Sequence, residues 1–275
     1  MRKTIVVLAA LFICGGSFQA LSSWPDGPPR SKAREVELGG PPAERPYFFR
    51  TAAFFFDGGS LFVLESDDAD VKVYSGSGAF ERAFGRKGRG PGEFDMPSDM
   101  AVLGDSFYVA DSGNRRVQVL DRNGRYISGF KVPFFLRRIL ALDEDRIVVA
   151  HLPSGFEGGE KMLHCFNRRG ELLWEALDSF HSGDSVYDTL RNFIFLKKGE
   201  KGSFFVIPRS GEQPILKMNR DGGIVREIEV GADYPSKKVM LPTGGKNKEI
   251  LAFCWNGDWH NGKFYLLIPE YTPSN

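Results

Sequence analysis

The chain has 275 residues and a formal net charge of +1, so the molecule as a whole has no electrostatic attraction toward nucleic acid or an anionic membrane. Hydrophobic residues make up 42% of the sequence and charged residues 26%, as in an ordinary globular protein. The 24 phenylalanines and 32 glycines favour β-structure with frequent tight turns. Helical periodicity is absent, which also favours an all-β protein.

The N-terminus has the order of an export signal. Arg2 and Lys3 precede an unbroken apolar run over residues 5–14, which is too short to span a bilayer as a helix. Ala20-Leu21-Ser22 fits the small-x-small pattern before a cleavage site. We therefore predict a signal peptide over residues 1–22, export to the periplasm or the extracellular space, and no transmembrane helix in the mature chain.

Two alternatives stay open in this segment. Gly15-Gly16-Ser17 offers a second cleavage site. The run "LFICG" at 11–15 is similar to a bacterial lipoprotein box, in which Cys14 would carry a lipid anchor. Such boxes have a small residue before the cysteine, and Ile13 is not small, so we favour cleavage without lipidation.

Proline and glycine dominate residues 23–46, which predicts a linker. Within it, "REVEL" at 34–38 has the composition of one short strand. The folded domain is predicted to occupy residues 47–275.

An internal repeat determines the fold class. Residues 60–85 align with residues 106–130 at a constant spacing of 46 positions, and a third copy keeps part of this register. The aligned positions are Val63 with Val109, Val71 with Val117, Val73 with Val119, Gly78 with Gly124, and Phe84 with Phe130, followed by Leu163, Cys165 and Gly170 in the third copy.

Each copy has the pattern of four short strands. Phe107–Ala110 and Val117–Leu120 are β-branched and aromatic runs, and turn-forming residues follow each of them at 111–114 and 121–124. "DMAVLG" before and "RYISGF" after these runs supply two more strands. Four strands in about 45 residues are typical of a propeller blade, so we predict an all-β protein, a β-propeller of four-stranded antiparallel blades.

The segment 88–130 resembles an NHL repeat, in the style of the exported six-bladed propeller proteins of bacteria. The resemblance is close over residues 49–130 and extends over 131–275 only in outline. It implies a six-bladed propeller. The matching positions are Gly90, Pro91, Gly92, Phe94, Pro97, Tyr108, Val109, Ala110, Asp111, Asn114, Arg115, Val117, Val119 and Gly124.

The later blades are placed by the same pattern. Six blades of about 46 residues need roughly 276 residues, more than residues 47–275 provide. We therefore expect about four and a half blades and interpret the chain as C-terminally truncated or completed by another segment. Blade three is predicted over 136–174 with an enlarged loop at 151–162, blade four around 204–207 and 215–218, and the start of blade five at 250–254 and 264–268.

Candidate ligand-binding residues lie on one predicted face. In propellers, the loops between second and third strands share a face with the loops between blades, and ligand sites usually lie there. The arginine and lysine residues of these loops would make the face basic and suited to an anionic ligand. The alternative is a solvated surface with Arg115 hydrogen-bonded locally, as in NHL repeats. The candidates are Arg86, Lys87, Arg89, Arg115, Arg116 and His151.

Several motifs are interpreted as structural. The glycine-rich run at 85–94 lacks the Gly-Lys-Ser/Thr and the helix of a phosphate-binding loop, so it predicts a connection between blades. Asp111, at a strand end, predicts a turn cap. Cys165 takes the repeat position of a core valine, and a disulfide with Cys254, two blades away, is not expected.

The sequence identifies no catalytic set, metal site or cofactor. Some NHL-like propellers are lyases that hold a metal with histidines from several blades, and lactonase-type propellers bind calcium. Of the histidines at 151, 164, 181 and 260, His151 alone falls where such a ligand would lie, and one histidine does not make a tridentate site. We expect an exported binding or scaffolding module for an unknown protein, small molecule or glycan, and no nucleic acid; the alternative is a channel-centred, metal-dependent enzyme of lactonase or lyase type.

Overall fold

The computed structural model describes residues 51–151, 153, 160–210, 212–229, 237–243, 246–252, 256–260 and 263–267. Within these ranges the chain forms four four-stranded antiparallel sheets, and in each sheet the strands neighbour one another in chain order. The signal peptide predicted over 1–22, the linker over 23–46 and the strand at 34–38 lie outside the described residues.

The four sheets have these strands. The first contains β1 (Thr51–Asp57), β2 (Ser60–Glu65), β3 (Asp70–Ser75) and β4 (Phe80–Phe84). The second contains β5 (Pro97–Leu103), β6 (Ser106–Asp111), β7 (Arg116–Asp121) and β8 (Tyr126–Lys131). The third contains β9 (Leu136–Asp143), β10 (Arg146–His151), β11 (Lys161–Phe166) and β12 (Leu172–Asp178). The fourth contains β13 (Ile194–Lys198), β14 (Phe204–Pro208), β15 (Ile215–Met218) and β16 (Ile224–Ile228). These meanders confirm the prediction of a propeller of four-stranded antiparallel blades.

Two hairpins follow the fourth blade. They pair β17 (Lys237–Thr243) with β18 (Lys246–Ala252) and β19 (Asn256–His260) with β20 (Lys263–Leu267). The prediction that 250–254 and 264–268 form the first two strands of one blade was wrong, because most of the first run lies at the end of a hairpin's second strand and the other run belongs to a separate hairpin. The Gly-Gly pair between β17 and β18 in the sequence is the two-residue hairpin signal that the repeat alignment overlooked.

One helix, α1 (Ser185–Arg191), lies between the third and fourth blades. At 7 residues it is too short to show a hydrophobic period in the sequence. Its N-terminus is capped by Asp184, whose Oδ1 accepts a hydrogen bond from the Tyr187 amide at 3.1 Å. Among the described residues, no helix has the length and apolar character needed to cross a membrane.

The hydrophobic core consists of clusters between neighbouring blades. The repeat positions predicted from the sequence lie in these clusters: Val71 packs between blades one and two, and Val117 between blades two and three, both fully buried. Cys165 packs between blades three and four as a free thiol, and burial raises its pKa to about 12. The core position predicted for Cys165 is thus confirmed, while Cys254 lies outside the described residues.

A repeated contact joins each blade to the next. The turn between the third and fourth strands of a blade holds a glycine with positive φ, at +82° in Gly124 and +81° in Gly170. A Cβ atom built on Gly124 would lie 2.3 Å from Cγ of Phe84, and one on Gly170 would lie 2.4 Å from Cβ of Phe130. The aromatic ring of one outer strand therefore covers the turn of the following blade, and only glycine fits beneath it.

The first strands of the blades lie side by side. β5 contacts both β1 and β9, and β9 contacts β13. This succession makes β1, β5, β9 and β13 the inner strands, around which the other strands of each blade fan outward.

Candidate functional site

The two loops that the sequence predicts to share one face pack together. The Asn114 side chain donates a hydrogen bond to the Gly88 carbonyl at 2.8 Å, and the Gly113 amide donates one to the Asp95 carbonyl at 2.8 Å. The connection between blades one and two therefore touches the loop between β6 and β7. We call the side of the molecule that carries these loops the crossover face.

The buried carboxylate of Asp111 holds the two loops together by hydrogen bonds. Its carboxylate has no exposed surface and accepts hydrogen bonds from Nε of Arg116 at 2.7 Å, from Nδ2 of Asn114 at 2.9 Å, from Nε2 of Gln118 at 3.1 Å and from the Asp95 amide at 2.7 Å. Asp111 is structural, as the sequence predicted, but it does not cap the turn that follows it: in the described part of the chain, the backbone amide that donates to its carboxylate is that of Asp95, in the connection between blades one and two.

The basic residues of the two loops differ in how many hydrogen bonds and ion pairs they make with the rest of the protein. Beyond its bond to Asp111, the Arg116 guanidinium donates to the carbonyls of Arg89, Gly90 and Glu93, at 2.8 to 2.9 Å. Arg86 is 79% exposed and pairs with the Glu93 carboxylate at 2.7 Å. Lys87 and Arg89 are exposed on the crossover face. Arg116 is thus built into the fold, while the other three project from it.

A cleft of about 430 Å³ opens on the crossover face between blades two and three. It brings together two of the six predicted ligand-binding residues, Arg115 and His151. We call it the histidine cleft. Its lining residues are Arg115, Pro133, Phe134, Phe135, His151, Glu160, Lys161 and His164.

Two histidines form the wall of the histidine cleft. The ring centroids of His151 and His164 are 5.2 Å apart, and the Phe134 ring lies 4.5 Å from the first and 4.4 Å from the second. The side chains of His151 and His164 are only 8% and 9% exposed. Since side chains alternate along β11, His164 points away from the blade interface that holds Cys165.

Each imidazole faces a glutamate. Nε2 of His164 lies 2.9 Å from Oε1 of Glu175, and Nε2 of His151 lies 3.6 Å from Oε2 of Glu160. Donation of the Nε2 proton toward a carboxylate leaves Nδ1 as an acceptor. Among the described residues, neither Nδ1 atom has a hydrogen-bond partner.

Burial keeps both imidazoles neutral. Removal from water lowers the pKa of His151, and Glu160 opposes this only in part. Burial also lowers the pKa of His164, and the neighbouring His151 lowers it further against the opposite effect of Glu175. At neutral pH the wall of the cleft therefore presents two uncharged rings.

The rim of the cleft carries the charges. The Arg115 guanidinium lies 4.5 Å from the centroid of the Phe135 ring, and both side chains are exposed. Lys161 pairs with Asp178 at 2.6 Å, and the Glu160 side chain is 43% exposed. Aromatic walls beneath a charged rim suit the binding of a ring-bearing ligand with a polar group.

Sequence reasoning missed Phe134, Phe135 and His164 in this site. The pairing of β10 with β11 sets Val149 opposite His164, which places His151 and His164 diagonally on the same face of the sheet. The sequence does not predict this register, because alternation within β11 does not show which residue of β10 lies opposite each of its residues.

No group of three His, Cys, Asp or Glu side chains among the described residues is arranged to hold a metal ion.

Solved structures similar to this chain are propellers of low sequence identity. A candidate exported protein from Bacteroides fragilis NCTC 9343 is 14% identical, with a TM-score of 0.53 over 71% of this chain and 53% of its own. A catalytically inactive virginiamycin B lyase from Staphylococcus aureus, solved with quinupristin, is 13% identical, with a TM-score of 0.46 over 68% of this chain and 58% of its own. This chain thus spans little more than half the length of these structures, and at such identities the likeness concerns the fold alone.

The family assignment comes from the sequence. No curated protein matches the chain at a significant level. The sequence model of the DUF5128 family, described as a 6-bladed beta-propeller, matches residues 54–197, which is just over half of the chain. The match begins within β1 and ends within β13. It does not identify the repeats as NHL repeats. The chain therefore belongs to the DUF5128 family of 6-bladed β-propellers.

Proposed function

We propose that this protein is a binding module that holds a small, ring-bearing organic ligand in the histidine cleft. The observation that carries the proposal is the cleft itself, which has the size and the aromatic lining of a small-molecule site. Arg115 and His151, two residues selected from the sequence on other grounds, both line it.

The chemistry of the lining suggests how such a ligand would be held. Phe135 is 46% exposed and lies at the cleft, where a ring or the apolar face of a sugar can stack on it. Arg115, already positioned over that ring, would donate to a carboxylate or another anionic group of the ligand. A small anionic metabolite or an acidic glycan would meet both requirements.

Export and the NHL-like character of the repeats belong to the same proposal. The support for export is the charged start, the apolar run at 5–14 and the cleavage pattern at 20–22, together with the description of the Bacteroides fragilis structure as a candidate exported protein. We infer that the ligand or partner is met outside the cytoplasm.

The alternative is a metal-dependent enzyme of lactonase or lyase type. It would need a third ligand beside His151 and His164, and the described residues offer no such group of three. Saturable binding of zinc or calcium at one equivalent, together with turnover of a lactone or lyase substrate, would favour the enzyme over the binding module.

The test is a screen followed by a matched pair of variants. The purified protein is screened by thermal shift against small-molecule and glycan libraries, and hits are measured by isothermal titration calorimetry. We expect Phe135→Ala to weaken binding of a genuine ligand at least tenfold, or about 1.4 kcal/mol. Phe80→Ala removes an equally exposed phenylalanine, at 45%, from the outer strand of blade one and should leave binding unchanged. Hits that bind both variants with the affinity of the unaltered protein would show that the cleft is not the site.

A further inference from the structure

A second group of side chains on the crossover face has an unusual concentration of positive charge. Three guanidinium carbons surround the Phe193 ring, at 5.3 Å for Arg137, 5.0 Å for Arg138 and 5.2 Å for Arg209. Arg138 also lies 4.9 Å from the Phe195 ring. We call these five residues the arginine cluster.

The strand ends explain how residues so distant in sequence meet. Arg137 and Arg138 lie at the beginning of β9, Phe193 directly precedes β13, and Arg209 directly follows β14. The Arg209 amide donates a hydrogen bond to the Phe193 carbonyl at 2.8 Å. Because β9 and β13 are inner strands of adjacent blades, the arginine cluster lies close to the central axis.

The arginine cluster is separate from the histidine cleft but borders it. A small void of about 10 Å³ is lined by Arg137 and Phe193 of the arginine cluster and by His151 of the histidine cleft. Among the residues that the structure describes, His151 alone lines both the cleft and this void, so the two sites adjoin at His151.

The arginine cluster brings several like charges close together. Three guanidinium groups that share one ring lie within about 10 Å of one another, comparable to the screening length of about 8 to 10 Å in physiological salt. Lys197 on β13 adds a further positive charge on the side of Asp99. Like charges at these separations repel, and a bound anion would relieve the repulsion.

The nearby carboxylate compensates for only part of this charge. The carboxylate of Asp99 on β5 attracts both Arg138 and Lys197 electrostatically. Its oxygens also accept hydrogen bonds from the amides of Ile139 at 3.0 Å and Met100 at 2.9 Å. Within the described part of the chain, neither Arg138 nor Lys197 has a carboxylate within 4.0 Å. Both therefore keep positive charge that a ligand can use.

Arg137 and Arg209 also make other contacts. Each guanidinium carries five N–H donors in a planar fork, a geometry that matches an oxyanion. Contact with the Phe193 ring restrains the guanidinium groups, which reduces the entropy lost when they bind an oxyanion by paired hydrogen bonds.

We propose that the arginine cluster is an oxyanion-binding site that takes a phosphate, sulfate or carboxylate group near the central axis of the crossover face. This site is distinct from the one proposed for the histidine cleft. Of the six ligand-binding residues predicted from the sequence, only His151 adjoins it.

Calorimetry with inorganic anions tests the proposal on the whole protein. Sodium phosphate, sodium sulfate and sodium acetate are titrated separately against a sodium chloride control of equal ionic strength, so that the preferred oxyanion is identified. We expect saturable binding of at least one of them. The double variant Arg138→Gln/Arg209→Gln should weaken it at least tenfold, whereas Arg168→Gln/Arg226→Gln removes two exposed arginines elsewhere and should not.

A second measurement covers the case in which the double variant fails to fold. Nuclear magnetic resonance of the arginine Nε–Hε groups in the unaltered protein should show phosphate-induced shifts confined to the signals of the arginine cluster. Shifts spread over all arginines, binding no stronger than in chloride, or equal losses in both double variants would overturn the proposal. Phe135→Ala should leave anion binding intact, so failure of the histidine cleft and failure of the arginine cluster are distinguishable.

Discussion

Substitution of Gly124 by alanine tests whether the aromatic-over-glycine contact joins the blades. Gly124 has a φ of +82° and lies under Phe84, whose ring packs 5.6 Å from Phe107 in the core between blades one and two. An alanine Cβ would lie 2.3 Å from Cγ and 2.5 Å from Cβ of Phe84. The backbone and the ring cannot both stay where they are.

The magnitude follows from two separable costs. An L-residue in a left-handed conformation costs about 1 to 2 kcal/mol, and forcing a packed ring aside costs about 1 to 3 kcal/mol. Gly124→Ala should therefore lower the free energy of unfolding by roughly 2 to 5 kcal/mol. Gly104→Ala is the matched control, because its φ is +55° and a Cβ there meets nothing within 4 Å; it should cost only the first 1 to 2 kcal/mol.

Urea denaturation followed by circular dichroism measures both variants. The difference between them isolates the steric cost, and each kcal/mol corresponds to about 2 to 4 °C in melting temperature for a domain of this size. If Gly124→Ala were no more destabilising than Gly104→Ala, the ring would move aside freely. The contact would then not be what joins the blades.

Three further outcomes are expected. Asp111→Ala should lower the free energy of unfolding by about 3 to 5 kcal/mol, because it leaves the partly buried Arg116 guanidinium without its carboxylate partner. Asp121→Ala removes only exposed turn hydrogen bonds and should lower it clearly less in the same urea titration. Burial lowers the pKa of His164 below 6.5 in the folded protein. Just below pH 6.5 this imidazole is therefore protonated in the unfolded chain but not in the folded one, and the free energy of unfolding falls as the pH drops through this range. His164→Gln should lessen this fall in pH-dependent melting curves, and an unchanged pH dependence in that variant would contradict the role of His164. Cys165, with its pKa raised to about 12, should resist iodoacetamide at pH 8 in the native protein and react in urea, as mapped by peptide mass spectrometry; fast native labelling would contradict its burial.

The strands and their repetition were predictable from the sequence because both are local. Alternation of apolar residues and turn-forming clusters mark each strand within a few positions, and the spacing between Val71 and Val117 shows that the same unit recurs. The family of the fold follows from such patterns. The turn at Gly124 was also recognisable as a repeat position, although the ring that covers it was not.

The sites, in contrast, depend on the packing of blade against blade. Charge alone made Arg116 resemble a ligand-binding residue, whereas the structure commits its guanidinium to Asp111 and three backbone carbonyls. His164 joins His151 through the register of a hairpin whose loop hides that register, and the arginine cluster gathers Arg137 and Arg209 from two blades. Local periodicity specifies strands and turns, but it does not specify which strand ends meet near the central axis; that is decided when neighbouring blades bury their shared apolar faces and bring residues distant in sequence into contact.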